Sequence, residues 1–172
     1  LDIEESLLSG GWEALQYDRV DLLVGGPAPS PSHKGIRAVP ISAPEMLLVA
    51  ARHHPIVALK DKPEELASAI QQTRRIVTHD TARINVERSE GLLTGDEVIY
   101  VQTVDQKIAA QRAGLGIGHL ARTTIQPWLD SGELVILSNK QNNINSFIAW
   151  KINNKGKALR TLSQQLIESM TS

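Results

Sequence analysis

Five histidines are the side chains of this sequence best suited to metal binding or acid–base chemistry: His33, His53, His54, His79 and His119. None pairs with another at a metal-binding spacing such as His-Glu-x-x-His, and adjacent histidines in an extended segment point to opposite faces. His79 ends an apolar, strand-like run and is followed by Asp80 and Thr81. Open α/β sheets place ligand sites at such strand ends. We therefore expect no metal site and take His79 as a candidate pocket residue.

Motifs for covalent catalysis are missing from the sequence. It contains no cysteine, which excludes disulfides, thiol catalysis and cysteine-ligated zinc or iron–sulfur sites. There is no Gly-x-Ser-x-Gly elbow, no phosphate-binding P-loop and no Ser-x-x-Lys pair. The carboxylate pairs Glu4-Glu5 and Glu64-Glu65 fall on segments expected at the surface, where such pairs are usually solvated. The sequence therefore predicts a protein that is not an enzyme and carries no cofactor.

The glycines of Gly114-Leu115-Gly116-Ile117-Gly118 resemble a nucleotide-binding loop in composition only. A dinucleotide-binding loop follows a strand and opens a helix, whereas these glycines close a predicted helix and enter a strand. Gly114 is expected to end that helix. Gly116 and Gly118 are expected where two backbone segments approach closely.

Thr103 begins the segment Thr103-Val104-Asp105-Gln106, which has capping-box spacing and predicts the start of a helix. Its hydroxyl is expected to bond the helix's own amides. A helix start also presents N–H groups that suit a carboxylate ligand, so Thr103 is a candidate for both roles. The three tryptophans are expected in packing and not in base stacking.

Composition narrows the function classes further. The chain has 172 residues, of which 41% are hydrophobic and 22% charged, and its net charge is −1 from 18 basic and 19 acidic residues. These values predict a globular fold of one domain or two small lobes. Direct nucleic-acid binding by this segment is disfavoured because it has no basic excess. No apolar run approaches the roughly 20 residues of a membrane span, and no signal peptide is visible, so we expect a cytoplasmic protein.

The predicted elements alternate between strands and helices. After an opening strand at Leu1–Leu7 and a short helix at Trp12–Asp18, the apolar run Val20–Gly25 predicts a parallel strand buried on both faces. A loop with three prolines follows at residues 27–35. The later strands are predicted at Ile36–Ile41, Glu45–Ala51, Arg75–His79, Val98–Gln102, Leu115–Leu120, Leu134–Leu137 and Ser146–Lys151. The later helices are predicted from Asp61, from Thr103 to Ala113, from Thr123 to Ser131 and from about Lys155 to Met170.

The element order predicts an α/β fold in which a second lobe is inserted into the first. The proline in Arg52-His53-His54-Pro55 must end the preceding strand, which makes this segment a candidate boundary. Lobe one is predicted to cover residues 1–51 and 134–172, and lobe two residues 52–133.

Several segments taken together resemble the effector-binding (regulatory) domain of LysR-type transcriptional regulators. Trp12-Glu13-Ala14-Leu15 followed by Asp18–Gly25 is similar to the family's helix and "grlDlai" strand. Glu45–Ala51 with His54-Pro55 is similar to the strand that leads into its "hPl" hinge. Ala113–Gly118 followed by Leu129–Val135 is similar to its glycine signature and "l-x-x-G-x-L-v" segment. Ala121 departs from the family pattern, since many members have proline near that place.

This resemblance implies a type 2 periplasmic-binding-protein-like fold of two Rossmann-like lobes with a ligand cleft between them. It also implies that the family's first strand and first helix of lobe one, and a winged helix–turn–helix that binds DNA, precede Leu1. By this resemblance, DNA would be bound by the upstream domain and not by residues 1–172.

The effector is expected to be a small organic acid or small aromatic, because helix starts favour anions. The candidate effector-binding residues lie at strand ends, in loops and at one helix start. They are Ser6, Ser9, Gly26, Thr78, His79, Asp80, Thr81, Thr103, Ile148 and Trp150.

The family resemblance also implies head-to-tail pairing of regulatory domains, and so a homodimer or homotetramer. The strand at Leu1–Leu7 would face Val98–Gln102 and the helix Asp105–Ala113 of the partner. The apolar residues expected at that interface are Ile3, Ile99, Val101, Ile108 and Ala109.

Two other classes of protein remain open at this point. A solute-binding protein of a transporter shares the two-lobe fold, and a secretion signal upstream would favour it. An enzyme on the same fold is disfavoured because no catalytic constellation is recognisable.

Overall fold

The computed structural model describes residues 2–28, 35–82, 97–138, 146–153 and 156–171. Most of the predicted loop at residues 27–35, with His33, lies outside the described residues, as do residues 83–96. The helices are α1 (Gly10–Gln16), α2 (Pro63–Gln72), α3 (Val104–Arg112), α4 (Arg122–Asp130) and α5 (Lys157–Thr171), and a 3-10 helix covers Pro55–Leu59. The strands are β1 (Leu22–Pro27), β2 (Ile36–Ile41), β3 (Met46–Ala51), β4 (Arg75–Thr78), β5 (Val98–Val101), β6 (Gly118–Ala121), β7 (Leu134–Ser138) and β8 (Ser146–Lys151).

The described residues form two compact units. Unit 1 comprises residues 2–28, 35–43, 80–82, 146–153 and 156–171, and unit 2 comprises residues 44–79 and 97–138. The division therefore falls before β3 and after β7, and not at residues 51 and 134 as the sequence predicted. The physical reason is pairing, since β3 is hydrogen-bonded on both sides, to β6 and to β7.

Unit 1 is built on an antiparallel sheet in the order β1-β8-β2. Helix α1 covers one face of it, where Trp12 and Leu15 pack with Ala149 and the partly buried Phe147. The Trp12 indole donates a hydrogen bond of 2.9 Å to the Pro27 carbonyl. Helix α5 packs against β2. Trp12 and Leu15 therefore fix α1 on the central strand β8.

Two predictions for unit 1 are wrong. The opening strand is one, because residues 2–7 carry no regular secondary structure and Ile3 is 85% exposed. The buried parallel strand is the other, because β1 pairs antiparallel with β8 and Val24 is 45% exposed. Among the described residues β1 has a strand neighbour on one side only. Within the described residues, the apolar run Val20–Gly25 thus belongs to an edge strand and not to a buried central one.

Unit 2 holds the antiparallel sheet β6-β3-β7 and the parallel pair β4-β5. Alternate residues of β3 pack into two separate hydrophobic cores, one on each face of the strand. This explains why its sequence is apolar throughout. Leu47 and Val49 pack with Ile108 of α3 and Ile125 of α4. Leu48 and Ala50 join the second core, with residues of the 3-10 helix and α2.

Local signals predicted the ends of α3 correctly. Thr103 is the N-cap, and its hydroxyl accepts a hydrogen bond of 3.1 Å from the Gln106 amide. The Gln106 side chain in turn accepts one of 2.8 Å from the Gln102 amide. Gly114 follows the last turn with φ +76°, a conformation that favours glycine.

Candidate functional site

The carboxylate of Asp80 is the centre of a polar cluster in unit 1. It accepts hydrogen bonds from the Ser9 amide at 3.2 Å, the Gly10 amide at 3.1 Å and the Ala82 amide at 2.9 Å. The Ser9 hydroxyl also donates to it. Ser9 occupies the N-cap position of α1, yet its side chain makes no cap bond within that helix. Asp80 supplies the acceptor instead, from 71 residues away in the chain.

Thr81, the residue after Asp80, binds the backbone just before Ser9. Its hydroxyl accepts from the Leu7 amide at 2.9 Å and donates to the Leu7 carbonyl at 3.1 Å. The approach is close, because a Cβ on Gly10 would overlap the Thr81 side chain and come within 2.8 Å of its carbonyl carbon. Leu8 has φ +53°, which is uncommon for a residue with a side chain. The cluster therefore depends on Gly10, for which the only sequence signal was the Gly10-Gly11 pair.

The other predicted effector residues of unit 1 have different environments. Ser6 is partly buried and precedes the cluster. Gly26 is buried, and a Cβ there would stand 2.9 Å from Trp12, so this glycine serves close packing. Ile148 is fully buried in the central strand β8. Trp150 is partly buried, with the Arg37 guanidinium carbon 5.7 Å from its ring centre.

The predicted effector residues of unit 2 lie at the carboxyl end of β4 and at the start of α3. Thr78 is the last residue of β4 and pairs with Val101. The His79 amide donates to the Val101 carbonyl at 3.0 Å. Its ring stacks on Tyr100, with ring centres 4.7 Å apart and planes inclined at 26°. Thr78 and His79, which are adjacent in the chain, thus lie at the end of one strand beside Tyr100 and Val101. The Thr103 hydroxyl is already used as a helix cap.

The predicted interface residues have different environments. Ile108 is only 3% exposed and lies in the core of unit 2, so its assignment to an interface is wrong. Ala109, next to it on α3, is exposed, and Ile99 and Val101 of β5 are partly buried. Ile3 is exposed but belongs to no strand. The sequence identified the helix and could not tell which of its apolar residues faces inward.

Two histidines have a pKa below the ordinary value for histidine. Burial lowers the pKa of His54 below its ordinary value of 6.5, and neighbouring His53 lowers it further. Its Nδ1 accepts a hydrogen bond of 3.2 Å from the Ile56 amide and so caps the 3-10 helix. Burial also lowers the pKa of His119, and the charges of Arg75 and Lys107 add to the effect. Within the described ranges no group of three or more His, Asp or Glu could hold a metal ion.

The glycine segment after α3 serves packing, as the sequence predicted. A Cβ on Gly116 would lie 2.5 Å from the Arg74 carbonyl oxygen. One on Gly118 would lie 2.7 Å from both the Ile76 carbonyl oxygen and the Gln111 amide nitrogen. These close approaches leave no room for a phosphate at either glycine.

The segment from α1 to β1 carries the family-like sequence, and the structure shows what its polar residues do. Glu13 is fully buried and forms an ion pair of 2.7 Å with Arg19. Asp18 has φ +58° and accepts a bond of 2.5 Å from Lys151 of β8. These contacts tie the helix, the turn and the central strand together.

A comparison with protein families decides what this arrangement is. The model of the LysR substrate binding domain matches residues 1–172. The chain belongs to this family. Among curated relatives it is 35% identical over 129 residues to the uncharacterized regulator YeeY of Escherichia coli K12, covering 75% of this chain and 41% of YeeY. It is 28% identical over 160 residues to the probable regulator YhaJ of the same strain, covering 92% of this chain and 53% of YhaJ. The chain thus spans about half the length of these relatives or less.

Solved structures show the same fold at low sequence identity. ArgP from Mycobacterium tuberculosis matches with a TM-score of 0.69 and 17% identity, over 99% of this chain and 58% of ArgP. LysG from Corynebacterium glutamicum with bound effector Arg gives 0.58 and 17%, over 98% and 57%. The BenM effector-binding domain with benzoate gives 0.60 and 19%, over 94% and 76%. The α/β fold predicted from the sequence is therefore confirmed as that of LysR regulatory domains. In the part of the chain that the structure describes, no helix is long and apolar enough to cross a membrane.

Proposed function

We propose that this chain is the effector-binding and dimerisation domain of a LysR-type transcriptional regulator that binds DNA through an N-terminal helix–turn–helix. The observation that carries the proposal is the match of the substrate-binding family model to residues 1–172. The relatives' names support a regulator over a transporter's solute-binding protein, because they describe HTH-type transcriptional regulators. A regulator of this kind acts where DNA is, in the cytoplasm, and is not an enzyme.

The proposed effector is a small organic acid. The effectors in the BenM and LysG structures, benzoate and Arg, both carry a carboxylate. In this chain the Ser9 amide, the Gly10 amide and the Ser9 hydroxyl already hold a carboxylate, that of Asp80. Hydrogen bonds to an ionised acceptor are stronger than those between neutral groups, so this donor set suits an acid.

We place effector binding at Ser9 and Thr81 in unit 1, where Asp80 occupies the donors until an effector replaces it. Ser6, Gly26, Ile148 and Trp150 of the same unit are in supporting positions. Thr78, His79 and Thr103 of unit 2 remain candidate effector residues within their own unit. An incoming carboxylate would take the donors at Ser9 and Gly10 in place of Asp80. Since Asp80 competes for those donors, its removal should strengthen acid binding.

Titration calorimetry with benzoate, arginine and a panel of small carboxylic acids tests this proposal. We expect at least one acid to bind, with affinity raised by Asp80→Ala and reduced at least about tenfold by Thr81→Val. Thr103→Val tests unit 2 in the same way. Binding that is unchanged in both threonine variants would remove the proposed residues from the site, and no binding by any acid would contradict the ligand class.

We also propose that the chain self-associates through β5 and the exposed side of α3, using Ile99, Val101 and Ala109, with Ile3 contributed by the N-terminal segment. Support comes from Ala109, which is exposed on α3, and from Ile99 and Val101, which are only partly buried in β5. Sedimentation analysis should detect a species heavier than 18.8 kDa, and a monomer at all concentrations tested would contradict the proposal.

A further inference from the structure

A second polar site lies in unit 2, and none of its residues is among those assigned above to effector binding or self-association. It is a surface pocket of about 260 Å³. Its lining residues are Arg52, His53, Arg112, Ser131, Gly132 and Glu133. Three chain segments meet there: the turn after β3, the end of α3, and the turn between α4 and β7.

The backbone holds these two turns together. The Arg52 amide donates a hydrogen bond of 2.9 Å to the Glu133 carbonyl. The Gly132 residue has φ +71°, and a Cβ there would lie 3.9 Å from the Arg52 Nη1 atom. The Arg52 guanidinium therefore stands beside the α4–β7 turn, on one wall of the pocket.

The only carboxylate in the pocket lining is already neutralised. Arg112 donates from Nε at 2.9 Å and from Nη2 at 2.5 Å to one oxygen of Glu133. The Ser131 hydroxyl lies 3.4 Å from the other oxygen. The Arg112 guanidinium carbon also lies 5.2 Å from the centre of the Trp128 ring, which holds the pair in one orientation.

Two groups of the lining remain uncommitted. The Arg52 guanidinium and the His53 imidazole have no hydrogen-bond or ion-pair partner among the described residues. His53 is held against Gly114, where a Cβ would come within 2.5 Å of its Nε2 atom. Two guanidinium groups against one carboxylate leave the pocket with a net positive charge, with an imidazole beside it.

We propose that this pocket binds a small dianion, either a dicarboxylate or a phosphate, through Arg52 and His53. A guanidinium recognises both groups because its N–H donors match a pair of oxygens. The volume lies just below the range of about 300–1,000 Å³ usual for drug-sized ligands, and so suits a smaller anion. Glu133 keeps Arg112 in place at the pocket wall. The proposal does not rest on the effector site, because the two share no residue.

Amide NMR titrations of the 172-residue chain with sodium phosphate and with succinate test the proposal, at an ionic strength held constant with sodium chloride. We expect saturable shifts at Arg52, His53 and Gly132 with at least one of the two anions, and their relative affinities show whether a phosphate or a dicarboxylate is preferred. Arg52→Gln should weaken binding at least about tenfold, and Arg52→Lys by less, because lysine keeps the charge and loses the paired donors. The matched control is Arg37→Gln in unit 1, which should bind as the native chain does.

Three results would overturn the inference. One is no saturable shift with either anion, and another is equal affinity in native chain and Arg52→Gln. The third is an equal loss in Arg52→Gln and Arg37→Gln, which would mean general attraction to positive charge. Thr81→Val should leave these titrations unchanged, so failure here and failure of the proposed effector site are distinguishable. Circular dichroism of each variant checks that it is folded.

Discussion

At the scale of single residues, the polar cluster of unit 1 is held by one carboxylate. Asp80 accepts from three backbone amides and one hydroxyl, so each donor that could bind a ligand there is already satisfied. A buried or half-buried donor that loses its partner is destabilising unless water or a ligand replaces it. The same contacts therefore link the stability of unit 1 to acid binding.

Asp80→Ala should lower the free energy of unfolding by about 2 kcal/mol, because it removes the shared acceptor of charge-assisted bonds. Asp80→Asn should lose less, since its amide oxygen still accepts. Urea unfolding followed by circular dichroism measures both. A saturating acid effector should restore part of the loss in Asp80→Ala. If Asp80→Ala and the native chain unfold at the same urea concentration, the cluster has no stabilising role.

His54 and His119 predict acid sensitivity. The pKa of each is lowered in the folded chain, by burial first and then by neighbouring positive charge. The unfolded chain therefore binds more protons below about pH 6.5, so stability should fall as the pH drops through that value.

Urea unfolding at about pH 7.5 and about pH 5.5 measures this dependence. Combining His54→Asn, which keeps a side-chain acceptor at the cap, with His119→Gln should make stability vary less with pH. A double variant with the same pH dependence as the native chain would show that other groups cause it.

At the scale of the elements, helix α3 shows which features a sequence can predict. Thr103 and Gly114 were predicted to begin and end it because both signals act within a few residues. The inward face was not predicted, since neighbouring Ile108 and Ala109 are both apolar and only tertiary packing separates them. Strand pairing is equally non-local, which is why β1 was expected to be parallel and β3 was assigned to the other lobe. The bonds between Ser9 and Asp80 join residues 71 apart and left no sequence pattern.

Paired substitutions on α3 separate the core from the proposed interface. Ile108→Asp should destabilise unit 2 by about 4 kcal/mol, because it buries an unpaired charge among apolar side chains. Ala109→Asp should leave stability within about 1 kcal/mol of the native value and weaken self-association. Thermal unfolding and sedimentation measure the two effects. Self-association that persists unchanged in a folded Ala109→Asp variant would exclude the exposed side of α3 from the interface.

At the scale of the whole molecule, the net charge and the family membership are consistent with a segment that is not itself the DNA-binding one. A net charge of −1 gives this segment little attraction for DNA phosphates. Its membership in the LysR substrate-binding family supports the proposal that it is the ligand-sensing part of a regulator. The family resemblance and the element order were enough to predict this. The identity of the acid depends on the shape of the bound state, which neither composition nor spacing specifies.

The central claim is that an acid effector binds at Ser9 and Gly10 in place of Asp80, with Thr81 contributing, and residue-resolved NMR with the best-binding acid tests it most directly. We predict that the amide signals of Ser9 and Gly10 shift most, because an incoming carboxylate replaces Asp80 at those donors, and that the Ala82 amide shifts as Asp80 moves. Thr81→Val should reduce these shifts at the same acid concentration. Shifts confined to other residues, with Ser9 and Gly10 unmoved at saturation, would contradict the account.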